Sequence, residues 1–298
     1  MADRRQPTQL VAQVASRLDE SIGASTVFHD TSTTVDALNF EQDELAALLV
    51  AQDKGLFLSS TTIDFVADQQ VYSLPDNLMQ IKLVEMLGDG TTYRNFPVPI
   101  VPFLDRAEYD SGTVQVEWQN CVATLAGRDI WVLPAPTAAQ SSAWRVRYYR
   151  TVPGMTTGTA AAGAAGTITL AATATAGLTS SSDDYYNDAL IYLSGGTGSG
   201  QTRTISDYVG DTRVASVSTD WSTTPDATST YEILSVLKEN EMEVLVLGAM
   251  RRLMQRDGEA GAWEQLFGSH YMELKQRLFS VNARPQLSTP RDIRITWP

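Results

Sequence analysis

Apolar residues recur at helical spacing near both ends of the chain and at a spacing of two through its middle. Leu10, Val11, Val14 and Leu18 fall on one face of a helix. A polar stretch from Ser21 to Asp36 predicts a loop. NFEQDELAALLVAQDKG then predicts a second helix, with Asn39 as N-cap and Gln42 as its capping-box partner. Leu45, Leu48 and Leu49 supply its stripe and Gly55 its stop. Residues 1–58 therefore read as the N-terminal helices of a bundle.

From Ser59 the pattern alternates. In DNLMQIKLVEM, Met79, Ile81 and Leu83 are expected on one face and Gln80 and Lys82 on the other, as in a half-buried antiparallel strand. VQVEWQ, CVATL, DIWVL and WRVRYY predict further strands. Residues 59–155 thus read as a β-sandwich or barrel domain. At Thr156 the composition shifts to TTGTAAAGAAGTITLAATATAG. Strands return in ALIYL, TRTISDYV, TRVASVS and TYEIL, which predicts an inserted all-β module over 156–234.

Helical spacing resumes after the module. Met242, Leu245, Ala249 and Leu253 form one stripe, and Asp257-Gly258 breaks it. Trp263, Leu266, Phe267, Tyr271, Leu274 and Leu278 form a second. Neither stripe can be buried alone, so residues 235–280 are expected to be a helical hairpin that completes the N-terminal bundle. The predicted class is α+β: a split α-helical bundle, a β-sandwich or barrel domain, and an inserted all-β module. Residues 281–298 break the pattern with Pro285, Pro290 and Pro298. There Arg284, Arg291 and Arg294 outnumber Asp292, and Ile293, Ile295 and Trp297 alternate, as in a strand that needs a partner edge.

Charge and chemistry narrow the picture. The 298-residue chain carries a net charge of −13, which disfavours wrapping nucleic acid through its bulk surface. Its single cysteine, Cys121, allows no internal disulfide or CxxC zinc site and reads as a small core residue. Two histidines far apart, His29 and His270, make no metal centre; His29 is expected at the surface and His270 packed or half exposed. DDYYND (Asp183–Asp188) lacks calcium-loop spacing and reads as a solvated loop. No cofactor or metal is expected, and G-x-S-x-G is missing, so no catalysis is expected. Met1–Pro7 is basic but leads into an amphipathic segment, so no signal peptide is expected. No apolar run reaches the roughly 18–20 residues of a membrane helix, so the expectation is a chain made and folded in a cytoplasm.

GGTGSGQT (Gly195–Thr202) imitates a phosphate-binding loop, with Gln201 where the lysine belongs. A working loop opens a helix whose N–H groups hold the phosphates. TRTISDYV follows instead and alternates, which predicts a hairpin connection. Tyr185, Tyr186, Tyr192 and Trp221 raise an alternative: exposed aromatics that stack on sugars, making the chain a surface, decoration or glycan-binding protein acting through 156–234. A packed small core explains the same residues.

The order of parts, with Y-x-L-P at Tyr72–Pro75, L-P-x-P at Leu133–Pro136 and R-Y-Y-R at Arg147–Arg150, resembles the head-to-tail adaptor proteins of tailed bacteriophages, also called connector or head-completion proteins. The resemblance covers about residues 5–155 and 236–280, and 156–234 departs from the compact family pattern. It implies a non-enzymatic virion protein of the neck, assembled in the host cytoplasm. Identical subunits would form a ring, generally a dodecamer, that docks on the portal ring and joins the DNA-filled head to a tail or neck protein below. Genome DNA would cross the channel without sequence-specific binding, and no membrane is involved. The tail, with Arg284, Arg291, Ile293, Arg294, Ile295 and Trp297, would be the portal-docking segment.

Overall fold

The computed structural model describes residues 5–19, 29–51, 57–88, 95–110, 121–174, 177–237 and 241–281. The fold is α+β, as the pattern predicts, with three separate apolar cores. Helix α1 (Pro7–Leu18) has Pro7 in its first turn, where a missing N–H costs nothing. It buries Leu10, Val11 and Val14.

Helix α2 (Thr31–Ala51) starts two turns earlier than expected, so Thr31–Asp36 is helix and not loop. Its cap is Asp30, whose carboxylate accepts the Thr33 N–H at 2.6 Å. Burial of Thr34, Val35 and Leu38 outweighs the weak helix propensity of the Thr/Ser run. Asn39 is therefore mid-helix and caps nothing. The predicted stop, Gly55, lies outside the described residues, as does the predicted strand VQVEWQ.

The second core lies between two four-stranded sheets. One has the order β1 (Leu58–Phe65), β8 (Gln140–Arg150), β3 (Leu78–Met86), β4 (Phe96–Pro97). The other has the order β2 (Val71–Ser73), β7 (Asp129–Leu133), β6 (Val122–Ala126), β5 (Ile100–Val101). A 3-10 turn and the short helix α3 (Arg106–Asp110) follow β5. Ile63, Phe65, Val84, Ile130, Val132 and Trp144 meet in the core, and Cys121 is buried there, with desolvation raising its thiol pKa to about 11. The alternation predicted for β3 fails locally. Register shifts at Leu78/Gln80 and Ile81/Leu83 turn the strand, so that Val84 and Met86 are buried while Met79 is exposed.

The third core is enclosed by a seven-stranded sheet of order β10 (Ala162–Ala164), β11 (Thr167–Thr169), β16 (Val214–Val217), β15 (Thr202–Val209), β14 (Leu190–Gly195), β17 (Thr230–Ile233), β9 (Thr156–Thr159). Its two margins, β9 and β10, are consecutive in the chain. The connecting Ala160 and Ala161 N–H groups donate to Ser229 O and Thr169 O respectively, so the sheet curls round its own core. A two-stranded ladder, β12 (Thr173–Ala174) with β13 (Gly177–Leu178), stands beside it.

Helices α4 (Met242–Arg256), α5 (Ala260–Trp263) and α6 (Ser269–Val281) close the chain. They share one core with α1 and α2, and Val152, Met155, Val236 and Leu237 from the connecting segments join it. Leu266 was expected in the apolar stripe but is 69% exposed. A π-turn over Glu264–Gly268 separates α5 from α6, and its wider pitch rotates Leu266 out while Trp263 and Tyr271 stay buried.

Candidate functional site

The three cores meet around α2, and polar side chains make the joint. Asn39 and Gln42 lie one turn apart on the same face. The Asn39 side chain accepts the Met155 N–H at 2.7 Å and donates to the Met155 carbonyl at 2.9 Å. Gln42, fully buried, donates to the Pro153 carbonyl and accepts from Ser235 Oγ and Val236 N. One helix thus holds both the segment that enters β9 and the segment that leaves β17. Its reach satisfies buried backbone groups that no sheet serves.

Further contacts lock the same joint. Glu232, on β17, accepts from the Thr8 N–H at 3.2 Å and from Thr8 Oγ1 at 3.0 Å, placing a carboxylate at the N-terminus of α1. Tyr185 Oη accepts the Gly154 N–H. Asn77 donates to the Asp184 carbonyl and accepts from Tyr148 Oη. Arg150 lies 3.7 Å from Asp188, so DDYYND is partly built into the joint rather than wholly solvated.

On another face of α2 sits a charged centre. Glu41 is fully buried and accepts from Tyr271 Oη at 2.5 Å, with Arg251 at 3.5 Å and Arg252 at 3.8 Å. Burial raises the Glu41 pKa, against the Tyr271 hydrogen bond and the charges of Arg251 and Lys275. Burial also pulls Glu44 upward, but the Lys275 hydrogen bond and charge, with Arg251 and Arg252, bring it below the usual range. Gly248 makes room for this centre: a Cβ there would stand 2.0 Å from Glu41 Cδ.

The glycine-rich imitation of a phosphate loop is a hairpin, with β14 and β15 antiparallel on either side. Gly196 has φ of 71°, and a Cβ there would stand 2.0 Å from the Thr228 carbonyl. Gln201 donates to the Gly198 and Thr223 carbonyls and accepts the Ser222 N–H at 2.7 Å. It bridges two loops where a lysine would reach for phosphate. Of the aromatics that raised sugar stacking, Tyr186 and Trp221 are buried and Tyr185 packs on the same core. His29 is buried too, not at the surface: it sits beside the cap of α2 and meets Asp257 at 2.8 Å, which fastens the start of α2 to the end of α4. His270 is exposed.

Residues from all three regions surround a cavity of about 480 Å³ lined by Asp43, Ala46 and Ala47 of α2, with Asp76, Asn77, Met79, Val152 and Tyr185 among the rest. The expected docking residues Arg284, Arg291, Ile293, Arg294, Ile295 and Trp297 all lie outside the described residues. Among the described residues no His/Cys/Asp/Glu group is arranged to hold a metal, and no helix is long and apolar enough to cross a membrane. Sequence reasoning missed the roles of Glu41, Asn39 and Gln42. A buried stripe interrupted by three polar residues was the available signal.

The architecture defines an α+β scaffold whose buried polar groups join elements to one another. The family model of the SU10 adaptor protein matches residues 7–196, well over half of the chain, and the chain belongs to that family. The matched span includes 156–196, the first part of the segment that the resemblance set apart. No curated protein matches the chain. It is a structural adaptor protein of a bacteriophage virion, and membership implies contact with other phage structural proteins.

Proposed function

We propose that the chain is a head-to-tail adaptor: its copies form a ring, a dodecamer, that docks on the portal and joins the DNA-filled head to a tail or neck protein. The observation that carries this reading is the shared core of the N- and C-terminal helices, alongside family membership. Both ends of the described chain belong to one bundle, so a docking segment that follows α6 starts from a fixed body. In this reading segments 1–58 and 235–280 form the mount, 59–155 and 156–234 build the body on it, and 281–298 docks through its arginines and alternating apolar residues. Ring closure needs one face of a subunit to meet a different face of the next. The net charge of −13 suits a channel that DNA crosses without sticking.

Electron microscopy of the purified full chain mixed with portal rings from the same genome tests this. The expected image is a second ring stacked under the portal. Removing residues 281–298 should abolish stacking and leave the far-ultraviolet circular dichroism of the subunit unchanged. Full stacking by the truncated chain would overturn the role given to the tail, and no stacking by the intact chain would overturn the adaptor position.

A further inference from the structure

Among the described residues, the two sheets of the β domain have four outer strands, and three of them are guarded. β2 has three residues, β4 has two with Pro97 among them, and β5 has two between Pro99 and Pro102. Short strands and prolines keep an edge from pairing with foreign backbone. β1 has neither defence. It runs for eight residues, LSSTTIDF, without proline or lysine, and pairs with β8 on one side only. The Arg150 N–H donates to the Phe57 carbonyl, so Ser59, Thr61 and Ile63 also turn their backbone groups to β8. Leu58, Ser60 and Thr62 aim theirs the other way. All three are exposed, and none has a backbone partner on that side among the described residues.

The chain also carries a strand pattern without an edge. Residues 291–297, RDIRITW, lie outside the described residues and alternate, with Ile293 and Ile295 on one side and Asp292 and Arg294 on the other. Reach lets the two meet within one chain. Phe57, just before β1, and Phe279, near the end of α6 at Val281, both pack on the bundle core. The longest helix of that bundle, α2, has 21 residues and spans about 31 Å. Ten extended residues from Val281 to Arg291 span about 33 Å, enough to cross it. Charge sets the direction. Among the described residues Asp64 bonds the Ser142 N–H but has no cationic partner, and Arg145, opposite Thr62 in the ladder, has no ion-pair or hydrogen-bond partner. A parallel strand can set Arg294 beside Asp64 and Asp292 beside Thr62, within reach of Arg145. An antiparallel strand in that place would set like charges together. In the parallel register Ile293 lies beside Ile63, at the margin of the core.

We propose that the open edge of β1 takes residues 291–297 of the same chain as an added parallel strand. The free subunit then covers its one unguarded edge with its own tail. In the adaptor reading the portal takes the segment over from β1; the pairing itself rests on no part of that reading.

The test needs no portal, so its failure and that of portal docking are distinguishable. A seven-residue strand is too small a share of the chain to register in circular dichroism, so single amides are read. Amide hydrogen exchange is followed by nuclear magnetic resonance in the full chain and in a chain ending at residue 290. The Ser60 and Thr62 amides should be protected in the full chain and exchange roughly tenfold faster or more in the shortened one. The Ser59, Thr61 and Ile63 amides, bonded to β8, should not change, which shows that the sheet is intact. Thr62→Pro removes only an outward N–H and reads the pairing from the other side: trypsin should cut after Arg294 roughly tenfold faster than in the wild type. Equal exchange of Ser60 and Thr62 in the two chains, or equal cutting of the two full-length proteins, overturns the proposal. Protection that falls on dilution would place the strand on a second copy and overturn the return to the same chain.

Discussion

The helical bundle and the curled β module each set a side-chain amide against groups from elsewhere in the chain, over very different distances in sequence. In the bundle, Gln42 bonds Pro153, Ser235 and Val236, across more than a hundred residues of sequence each time. In the module, Gln201 bonds Gly198, Ser222 and Thr223, at most 22 residues away. The amide does the same chemistry in both places: it satisfies backbone groups where the ladder stops. The consequence differs. Gln201 shapes one loop pair, whereas Gln42 decides how two cores are mounted on a third.

That contrast is broken most sharply at Gln42. Gln42→Leu keeps the volume, leaves the Pro153 carbonyl and the Val236 N–H without partners, and takes the acceptor from the Ser235 O–H, whose oxygen still accepts the Leu237 N–H, all in a buried place. Each buried unsatisfied group costs about 1–3 kcal/mol, so a loss of about 3 kcal/mol or more is expected in urea unfolding. A loss below about 1 kcal/mol would mean that water takes over these groups and the joint is not dry. The next effect lies on another face of α2. Gly248→Ala drives a methyl into the Glu41 carboxylate, and overpacking of this kind costs about 1–3 kcal/mol. It should leave the module unaffected, so protease resistance of 156–234 should persist while the bundle loosens.

The same contrast explains what the sequence discloses. The stripes of α1 and α4 are legible because apolar period alone fixes them, and Leu10, Val14, Leu245 and Leu253 are all buried. The hairpin at Gly195–Thr202 is legible because glycines and alternation are local signals. The start of α2 is not: Asn39 and Gln42 have capping-box spacing, but both amides are used by a connecting segment brought in from distant sequence. Tertiary demand for a polar helix face looks in one dimension like a helix beginning. The β3 register shifts and the π-turn that exposes Leu266 are illegible for a related reason, since one extra residue changes which face is inward without changing composition.

The module's half of the comparison is tested by restoring the lysine that the phosphate-loop pattern lacks. Gln201→Lys completes G-x-x-x-x-G-K-T in sequence while removing the acceptor for the Ser222 N–H. The loops are partly exposed, so the cost should be about 1 kcal/mol. Calorimetry should show no ATP or GTP binding, because β15 follows the loop and no helix N-terminus stands there. Micromolar nucleotide affinity in this variant would show that the loop is a nucleotide site lacking one residue.

The smallest effect separates unpaired from paired carboxylates on the helices. Asp43 has its pKa raised from 3.8 by desolvation, so the folded chain holds its proton more tightly than the unfolded one. Its contribution to stability therefore falls as pH rises above about 3.8 through the folded value. Glu243 is the opposite case: its hydrogen bond and ion pair with Arg17 lower its pKa from 4.5, so its contribution is present above 4.5 and is lost as pH falls below it. Asp43→Asn should flatten the first slope and match or exceed the wild type in stability at neutral pH. Glu243→Gln should do the reverse, with a loss at neutral pH that shrinks in acid. Urea midpoints measured from pH 4 to pH 7 check both signs at once. Parallel slopes for the two variants would mean that Asp43 finds a cation in the folded protein.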